Sequence, residues 1–202
     1  MGQKKFNWMT KLIGFEKLRT AVFISGTGSN LQNLIKFSLS KKAPIKITFI
    51  LSDKKKAKGL KFSKKYKIES KIFNFQNKLV AESRILNNLK KRKIKLICLA
   101  GFMRILSKDF IKKFNGKILN IHPSLLPRYK GLNTHQRVIQ NKERYSGCTV
   151  HIVNSKLDSG KIILQKKVKI LSKDTPKSLA KRILKHEHML YKKAVIKIYS
   201  NP

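Results

Sequence analysis

The chain has 202 residues, of which 41% are hydrophobic, so it is long enough for one α/β domain with a substantial core. No apolar run approaches the ~18 residues that span a bilayer, and the two cysteines lie far apart, which argues against a membrane protein, a disulfide framework and a cysteine metal site. The formal net charge is +39, with lysines along the whole chain and few arginines. We interpret the lysines as solvated surface rather than a specific nucleic-acid interface, because such interfaces favour arginine and interleaved aromatic residues. A reducing, cytoplasmic location is expected.

The first residues carry lysines around Phe6, Trp8 and Met9, without the long apolar centre and cleavage site of a secretory signal. We interpret residues 1–19 as an N-terminal extension, either disordered or a short amphipathic segment. An organellar transit peptide is the less favoured alternative, because it would usually be richer in arginine and serine. Residues 20–202 contain no repeat and no linker, so we expect them to form a single domain.

Strand and helix signals alternate from the first apolar run to the end of the chain. Strands are predicted at 21–24, 45–51, 71–73, 96–100, 118–119, 147–153 and 162–168. Helices are predicted at 29–39, 59–66, 80–89, 107–114, 134–140 and 175–198. Ser107 is the predicted cap of the fourth helix. The alternation predicts right-handed crossovers in a Rossmann-like α/β fold, with one mostly parallel sheet and helices on both faces.

A glycine-rich loop, Ser-Gly-Thr-Gly-Ser-Asn-Leu at 25–31, ends the first strand and opens the first helix. Glycines permit a tight turn, and the free N–H groups of a helix N-terminus attract a phosphate. The loop lacks the third glycine of the dinucleotide fingerprint and the lysine of a P-loop, so it indicates either a monophosphate site or an ordinary turn. Asp53, after the second strand, is interpreted either as a ribose-binding acid or as a helix cap.

A second loop, Ala-Gly-Phe-Met-Arg-Ile-Leu at 100–106, follows the buried fourth strand. An apolar loop at a sheet edge can line a pocket for a flat heterocycle. Plain core packing is the alternative interpretation of the same residues.

Asn120 and His122 end the fifth strand, where two prolines then hold the chain extended and where open α/β sheets bind ligands. An amide donates without ionising, and an imidazole moves a proton near neutral pH. The pair therefore suits a reaction in which a carbonyl oxygen becomes an oxyanion. Asp158, in a Leu-Asp-Ser-Gly turn, is the candidate acid that orients the imidazole and raises its pKa. His135 and His151 add two imidazoles, but their spacing matches no zinc pattern, so no metal is expected.

Four segments of the chain resemble those of the phosphoribosylglycinamide formyltransferases, folate-dependent enzymes of purine synthesis, and occur in the same order. They are the loops at 24–31 and 100–106, Asn-Ile-His-Pro-Ser-Leu-Leu-Pro at 120–127, and the Val-His and Leu-Asp-x-Gly motifs within 150–160. The resemblance runs from about residue 20 to the last helix. It implies the formyltransferase fold and the transfer of a formyl group from 10-formyltetrahydrofolate to the amine of N1-(5-phosphoribosyl)glycinamide, without a metal.

The resemblance also implies roles for individual residues. Catalysis is expected from Asn120, His122 and Asp158. The residues expected to bind phosphoribosylglycinamide are Gly28, Ser29, Asn30, Lys185, His186 and Glu187. The residues expected to bind folate are Lys78, Met103, Arg104, Ile105, Leu106, Asn120, Asn154 and Leu157.

Three alternative functions stay open. A methionyl-tRNA formyltransferase would use the basic surface but normally has a further C-terminal domain, and a formyltetrahydrofolate deformylase usually has an N-terminal regulatory domain. The third alternative is a basic nucleic-acid-binding protein on the same scaffold, against which the joint presence of Asn120, His122 and Asp158 speaks. The expected partners are small-molecule substrates, without specific nucleic acid or membrane, and the protein is expected to be a monomer or a homodimer.

Overall fold

The computed structural model describes residues 16–200, which form a seven-stranded sheet with helices on both faces. The strands are β1 (Leu18–Ile24), β2 (Ile45–Ser52), β3 (Glu69–Ile72), β4 (Leu96–Leu99), β5 (Lys117–His122), β6 (Tyr145–Ile152) and β7 (Ile162–Lys169). The helices are α1 (Ser29–Ser38), α2 (Lys61–Lys65), α3 (Lys78–Lys91), α4 (Lys108–Lys113), α5 (Thr134–Gln140) and α6 (Pro176–Ser200). The predicted fold class is confirmed.

Each predicted strand and helix has a counterpart, with shifts at the ends. The helix predicted at 59–66 is divided into a 3₁₀ turn, Lys58–Leu60, and the short helix α2. The N–H of Gly59, at the start of this turn, donates to the carbonyl oxygen of Gly26, 2.9 Å away, and so joins the turn to the loop after β1. Most of the predicted extension at 1–19 lies outside the described residues, and β1 already begins at Leu18.

The strand order is β3-β2-β1-β4-β5-β6-β7, and the first five strands of the chain pair in parallel. The order reverses between β1 and β4, so a crevice opens at the carboxyl ends of these strands, as in other doubly wound sheets. β6 runs antiparallel to β5, and β7 antiparallel to β6. The end of β6 therefore lies beside Leu119, and the loop between β6 and β7 folds back to bring Asp158 to Asn120 and His122.

The core lies in two layers, one on each face of the sheet. Alternate residues of β1 divide between them: Val22 and Ile24 pack on the face covered by α1, α5 and α6, while Ala21 and Phe23 pack on the face covered by α3 and α4. All four residues of β4 are buried, as its uninterrupted apolar sequence predicts for a central strand. The strands of a parallel sheet carry apolar side chains on both faces, so helices must cover both faces.

Helix α6 is anchored beneath the sheet edge by one buried hydroxyl. The Tyr191 hydroxyl lies 3.0 Å from the carbonyl oxygen of Leu99, at the end of β4, and 3.1 Å from that of Leu119, in the middle of β5. On the other face, Ser107 accepts a hydrogen bond from the N–H of Phe110, 3.0 Å away, and thus caps α4 as predicted. Within residues 16–200, no helix is long and apolar enough to cross a membrane.

Candidate active site

Three side chains from two separate segments converge at the carboxyl end of β5. Asn120 and His122 belong to that strand, and Asp158 lies in the loop between β6 and β7. The Oδ2 atom of Asp158 is 3.4 Å from His122 Nδ1, and its Oδ1 atom is 3.4 Å from Asn120 Nδ2. His122 is buried, and its Nε2 atom lies 2.8 Å from the carbonyl oxygen of Tyr129. The structure thus brings the predicted trio together; the catalytic roles remain predictions.

His151 is a fourth member of this cluster, which the sequence marked only as an extra imidazole. The antiparallel register of β5 and β6 places it directly opposite Asn120. Its Nδ1 atom is 2.9 Å from the carbonyl oxygen of Ile152, which holds the proton on that nitrogen. The Nε2 atom lies 3.3 Å from Asn120 Nδ2 and 3.6 Å from Asp158 Oδ1. The ring therefore helps to orient the amide.

The backbone holds Asp158 in an unusual conformation that aims its carboxylate inward. Its φ is +44°, in the left-handed region that aspartate tolerates better than most residues. The N–H of Gly131 donates to Oδ2 from 2.9 Å away, and Lys130 Nζ lies 2.6 Å from Ser159 Oγ. These bonds tie the loop after β5 to the loop after β6, so the acid is fixed from both sides.

Burial and local charge act in opposite directions on the two titrating groups. Burial alone would raise the pKa of Asp158, but the nearby His151 ring, the Gly131 N–H and the charge of His122 lower it, so the acid is ionised. Burial lowers the pKa of His122, and the carbonyl of Tyr129 and the carboxylate of Asp158 only partly oppose it. The expectation that Asp158 raises the His122 pKa was therefore incomplete, because desolvation outweighs the acid before any ligand binds.

The glycine-rich loop lies at the same sheet edge, after β1. Gly28 has φ +75°, and α1 begins at Ser29 without a side-chain cap, which leaves its first N–H groups available to an anion. A Cβ atom on Gly28 would lie 2.6 Å from the Cα of Gly59, so the two backbones are in contact. The loop is thus shaped by close backbone packing as well as by its turn.

Two buried polar side chains lie beneath this loop and join α1 to α6. Asn30 donates from Nδ2 to Glu187 Oε2 at 2.7 Å, and the Oδ1 atom of Asn30 has no hydrogen-bond partner among residues 16–200. Burial raises the pKa of Glu187, with the bond from Asn30 acting against it. The Nδ1 atom of His186 is also buried and without a partner in this described part of the chain, whereas Lys185 is exposed. Unpaired buried polar atoms of this kind indicate a place for a polar ligand.

Most of this chain matches known proteins, both in sequence and in structure. A family model described as formyl transferase matches residues 18–195. The chain belongs to the formyl transferase family. The curated phosphoribosylglycinamide formyltransferase of Haemophilus influenzae is 43% identical over 176 residues, which are 86% of this chain and 83% of that protein.

A solved structure of phosphoribosylglycinamide formyltransferase from Brucella melitensis superposes with a TM-score of 0.86 at 42% identity, covering 93% of this chain and 97% of that one. The human trifunctional purine biosynthetic protein adenosine-3 is 41% identical over 93% of this chain, but the chain spans only 19% of that relative. The resemblance predicted from the sequence is therefore confirmed.

The predicted folate-side residues of this formyl transferase divide into two groups. Met103, Ile105 and Leu157 expose 56%, 62% and 50% of their surface, and Leu132 exposes 71%. Large apolar side chains this exposed at a sheet edge indicate an apolar ligand face. Asn154 is also exposed, in the loop that leads to Asp158.

Leu106 and Lys78 do not join that group. Leu106 is 5% exposed and packs in the core layer beneath α3 and α4. Its predicted contact with folate therefore cannot come from the side chain in this conformation. Lys78 is exposed at the first turn of α3 and makes no side-chain hydrogen bond to any of residues 16–200.

Asp53 takes neither of the two roles considered for it. Its side chain is fully buried, with Oδ1 2.5 Å from Ser25 Oγ and Oδ2 2.8 Å from Arg104 Nε. The nearby 3₁₀ turn instead has Ala57 at its N-cap. Within residues 16–200, no group of three or more His, Cys, Asp or Glu side chains is arranged to hold a metal ion.

Proposed function

We propose that this protein transfers a formyl group from 10-formyltetrahydrofolate to the amine of N1-(5-phosphoribosyl)glycinamide in purine synthesis. The convergence of Asn120, His122 and Asp158 in a member of the formyl transferase family is the observation that carries the proposal. The ionised acid lies 3.4 Å from both the amide and the imidazole. Together the three groups supply the hydrogen-bond donors and the proton path that are needed to move an acyl group from one nitrogen to another.

In the proposed reaction, the substrate amine attacks the formyl carbon, and the formyl oxygen gains negative charge. Asn120 and His122 donate hydrogen bonds to that oxygen, and each such donor typically contributes ~3–4 kcal/mol. The 3.4 Å distance between His122 Nδ1 and Asp158 Oδ2 is longer than a strong hydrogen bond, so the carboxylate lies close enough to stabilise a charged imidazole without occupying its donor tightly. The proton leaving the amine passes to the folate nitrogen as the C–N bond to the donor breaks.

Asp158 acts in this scheme as the counter-ion of a transiently charged His122. Since burial keeps the imidazole neutral in the free protein, protonation in the site depends on the carboxylate 3.4 Å away. The acid also helps to position the water that relays the proton. Asn120 Nδ2 lies within 3.4 Å of both His151 Nε2 and Asp158 Oδ1, so the amide is already placed at the reacting centre, and one of these two long contacts gives way to the formyl oxygen as charge develops.

The acceptor nucleotide is proposed to bind between the glycine loop and α6. The uncapped N-terminus of α1 would take the phosphate with the backbone of Gly28, Ser29 and Asn30. Asn30 Oδ1 and the Glu187 carboxyl group lie together as buried acceptors, which suits the amine end of the glycinamide. Lys185 and His186 would contribute from the same helix.

The donor is proposed to bind against the exposed apolar side chains of Met103, Ile105 and Leu157, with Arg104 and Asn154 at its polar margin. Lys78 and Leu106 would contact the donor through their backbone atoms, or through their side chains after their segments move. Asn120 faces both substrates from the end of β5. A small nucleotide rather than an RNA is the proposed acceptor.

The purified protein should be given 10-formyltetrahydrofolate with phosphoribosylglycinamide, with methionyl-tRNA, or with no acceptor. Formylated glycinamide ribonucleotide is expected from the first mixture alone. Formylation of the tRNA would identify the other transferase, and free formate without an acceptor would identify a deformylase. Gel shifts with RNA at physiological salt would test the nucleic-acid alternative, because non-specific binding by lysines weakens steeply with salt.

A further inference from the structure

The Asp53 carboxylate lies where the carboxyl ends of three neighbouring parallel strands meet. Ser25, just after β1, donates to its Oδ1 atom at 2.5 Å, and Arg104, in the loop after β4, donates to its Oδ2 atom at 2.8 Å. The same Ser25 hydroxyl accepts a hydrogen bond from the N–H of Met103 at 2.9 Å. Asp53 itself directly follows β2. One acid therefore connects the beginning of the glycine loop with the beginning of the Met103–Leu106 segment.

The burial of this carboxylate makes the connection stiff. The Asp53 side chain is fully buried, while the Arg104 side chain is 48% exposed. A buried charge is tolerated only when its oxygens are hydrogen-bonded and a counter-charge is near, so neither donor can move away without a large cost. The N–H of Ser25 also donates to the carbonyl oxygen of Gly101, 3.1 Å away, which adds a backbone bond between the two loops.

Arg104 is held on a second side as well. Its guanidinium carbon lies 5.7 Å from the centre of the Phe75 ring, and that ring packs edge-on against Phe102 at 5.9 Å. The guanidinium is thus fixed between a carboxylate and an aromatic face, with part of its surface directed to solvent. This arrangement leaves it oriented for a ligand and not free to rotate.

We infer that Asp53 is a positioning residue that sets the glycine loop and the Met103–Leu106 segment relative to each other, and so fixes the geometry of both substrate sites. The inference rests on the proposed function, in which the first loop binds the acceptor phosphate and the second binds the donor. Asp53 touches neither substrate and acts through Ser25, Met103 and Arg104.

The test compares Asp53→Asn with Glu82→Gln. Glu82 is a matched control because it is a buried carboxylate that accepts a hydrogen bond, from the N–H of Ser107 at 2.8 Å, on the face covered by α3 and α4. Asparagine keeps the size of Asp53 but presents an NH₂ group to one of the two donors. The KM for each substrate is expected to rise about tenfold, the effect of losing one hydrogen bond to a charged group, while kcat changes less than about threefold. Glu82→Gln is expected to leave both KM values unchanged.

Hydrogen exchange supplies a readout that does not need activity. In Asp53→Asn, amides in 25–31 and in 100–106 should both exchange faster, whereas Glu82→Gln should accelerate neither segment. A rise in only one KM, a fall in kcat alone, or unchanged exchange in either loop would overturn the inference. If wild-type protein forms no formylated product, the proposed function fails, and the exchange comparison still decides the role of Asp53. Should Asp53→Asn not fold, Ser25→Ala, which removes the link to Met103, takes its place with the same expected changes.

Discussion

Replacing Asp158 by asparagine removes one negative charge from the catalytic cluster and changes little else. Asparagine has the same size, tolerates the φ of +44°, and keeps an oxygen to accept from the N–H of Gly131. The side chains of His122 and Asp158 are 6% and 8% exposed, so water screens their attraction poorly. At 3.4 Å and an effective dielectric of about 20, that attraction is worth about 5 kcal/mol. Because each 1.36 kcal/mol is a factor of ten in rate, kcat should fall by roughly 10³- to 10⁴-fold.

The assay is formation of formylated glycinamide ribonucleotide, measured as kcat at saturating substrates, alongside urea unfolding. Asp174→Asn is the matched control, since Asp174 is also a buried carboxylate, paired with Arg182 and bonded to Ser178 just before α6. The control should lose stability and keep wild-type kcat, whereas Asp158→Asn should fold normally and lose turnover. Activity of Asp158→Asn within tenfold of wild type would refute the counter-ion role.

Three further outcomes are expected. Glu187→Gln should raise the KM for phosphoribosylglycinamide about tenfold with little change in the KM for folate, measured by steady-state kinetics, because it removes a carboxyl group from the acceptor site. Gly28→Ala should lower the free energy of unfolding by roughly 3 kcal/mol in urea titrations, because its Cβ atom would meet Gly59 at 2.6 Å, whereas Gly26→Ala, with nothing within 4 Å, should not. Acidification below about pH 6.5 should destabilise the protein, because the unfolded chain binds a proton that His122, with its lowered pKa, does not. The part of the loss due to His122 should be at most about 1.4 kcal/mol per pH unit, measured as the difference between wild type and His122→Asn in urea titrations; burial also lowers the pKa of His135 and His188, so the rest of the loss persists in that variant.

The sequence predicted best what local patterns control. The uninterrupted apolar run at 96–100 predicted a doubly buried strand, and Ser107 predicted the start of α4, because both depend on neighbours in sequence. Asn120 and His122 could be placed at the ligand-binding edge because strand ends in an α/β sheet meet there. Their approach to Asp158 depends on the path of the loop between β6 and β7, which folds back beside β5.

What depends on long-range packing was predicted less well. Nothing local shows that His151 stands opposite Asn120, since that depends on the register of two strands 31 residues apart. Leu106 reads as a continuation of an apolar loop, yet its side chain turns into the core. The three-strand junction at Asp53 depends on which side chains are buried, and so does the direction in which the pKa of His122 shifts. Burial cannot be read from a single sequence.

The link between α1 and α6 separates the proposed acceptor site from the proposed site of bond making. Asn30 donates to Glu187, and Asn33 donates to the backbone oxygen of His188 at 2.6 Å, so the surface proposed to receive the amine belongs to two helices. The groups proposed to activate the formyl carbon belong to β5 and the loop between β6 and β7. Under the proposed function, variation along one face of α6 would redirect the same one-carbon unit to a different amine without altering the groups that cleave the donor.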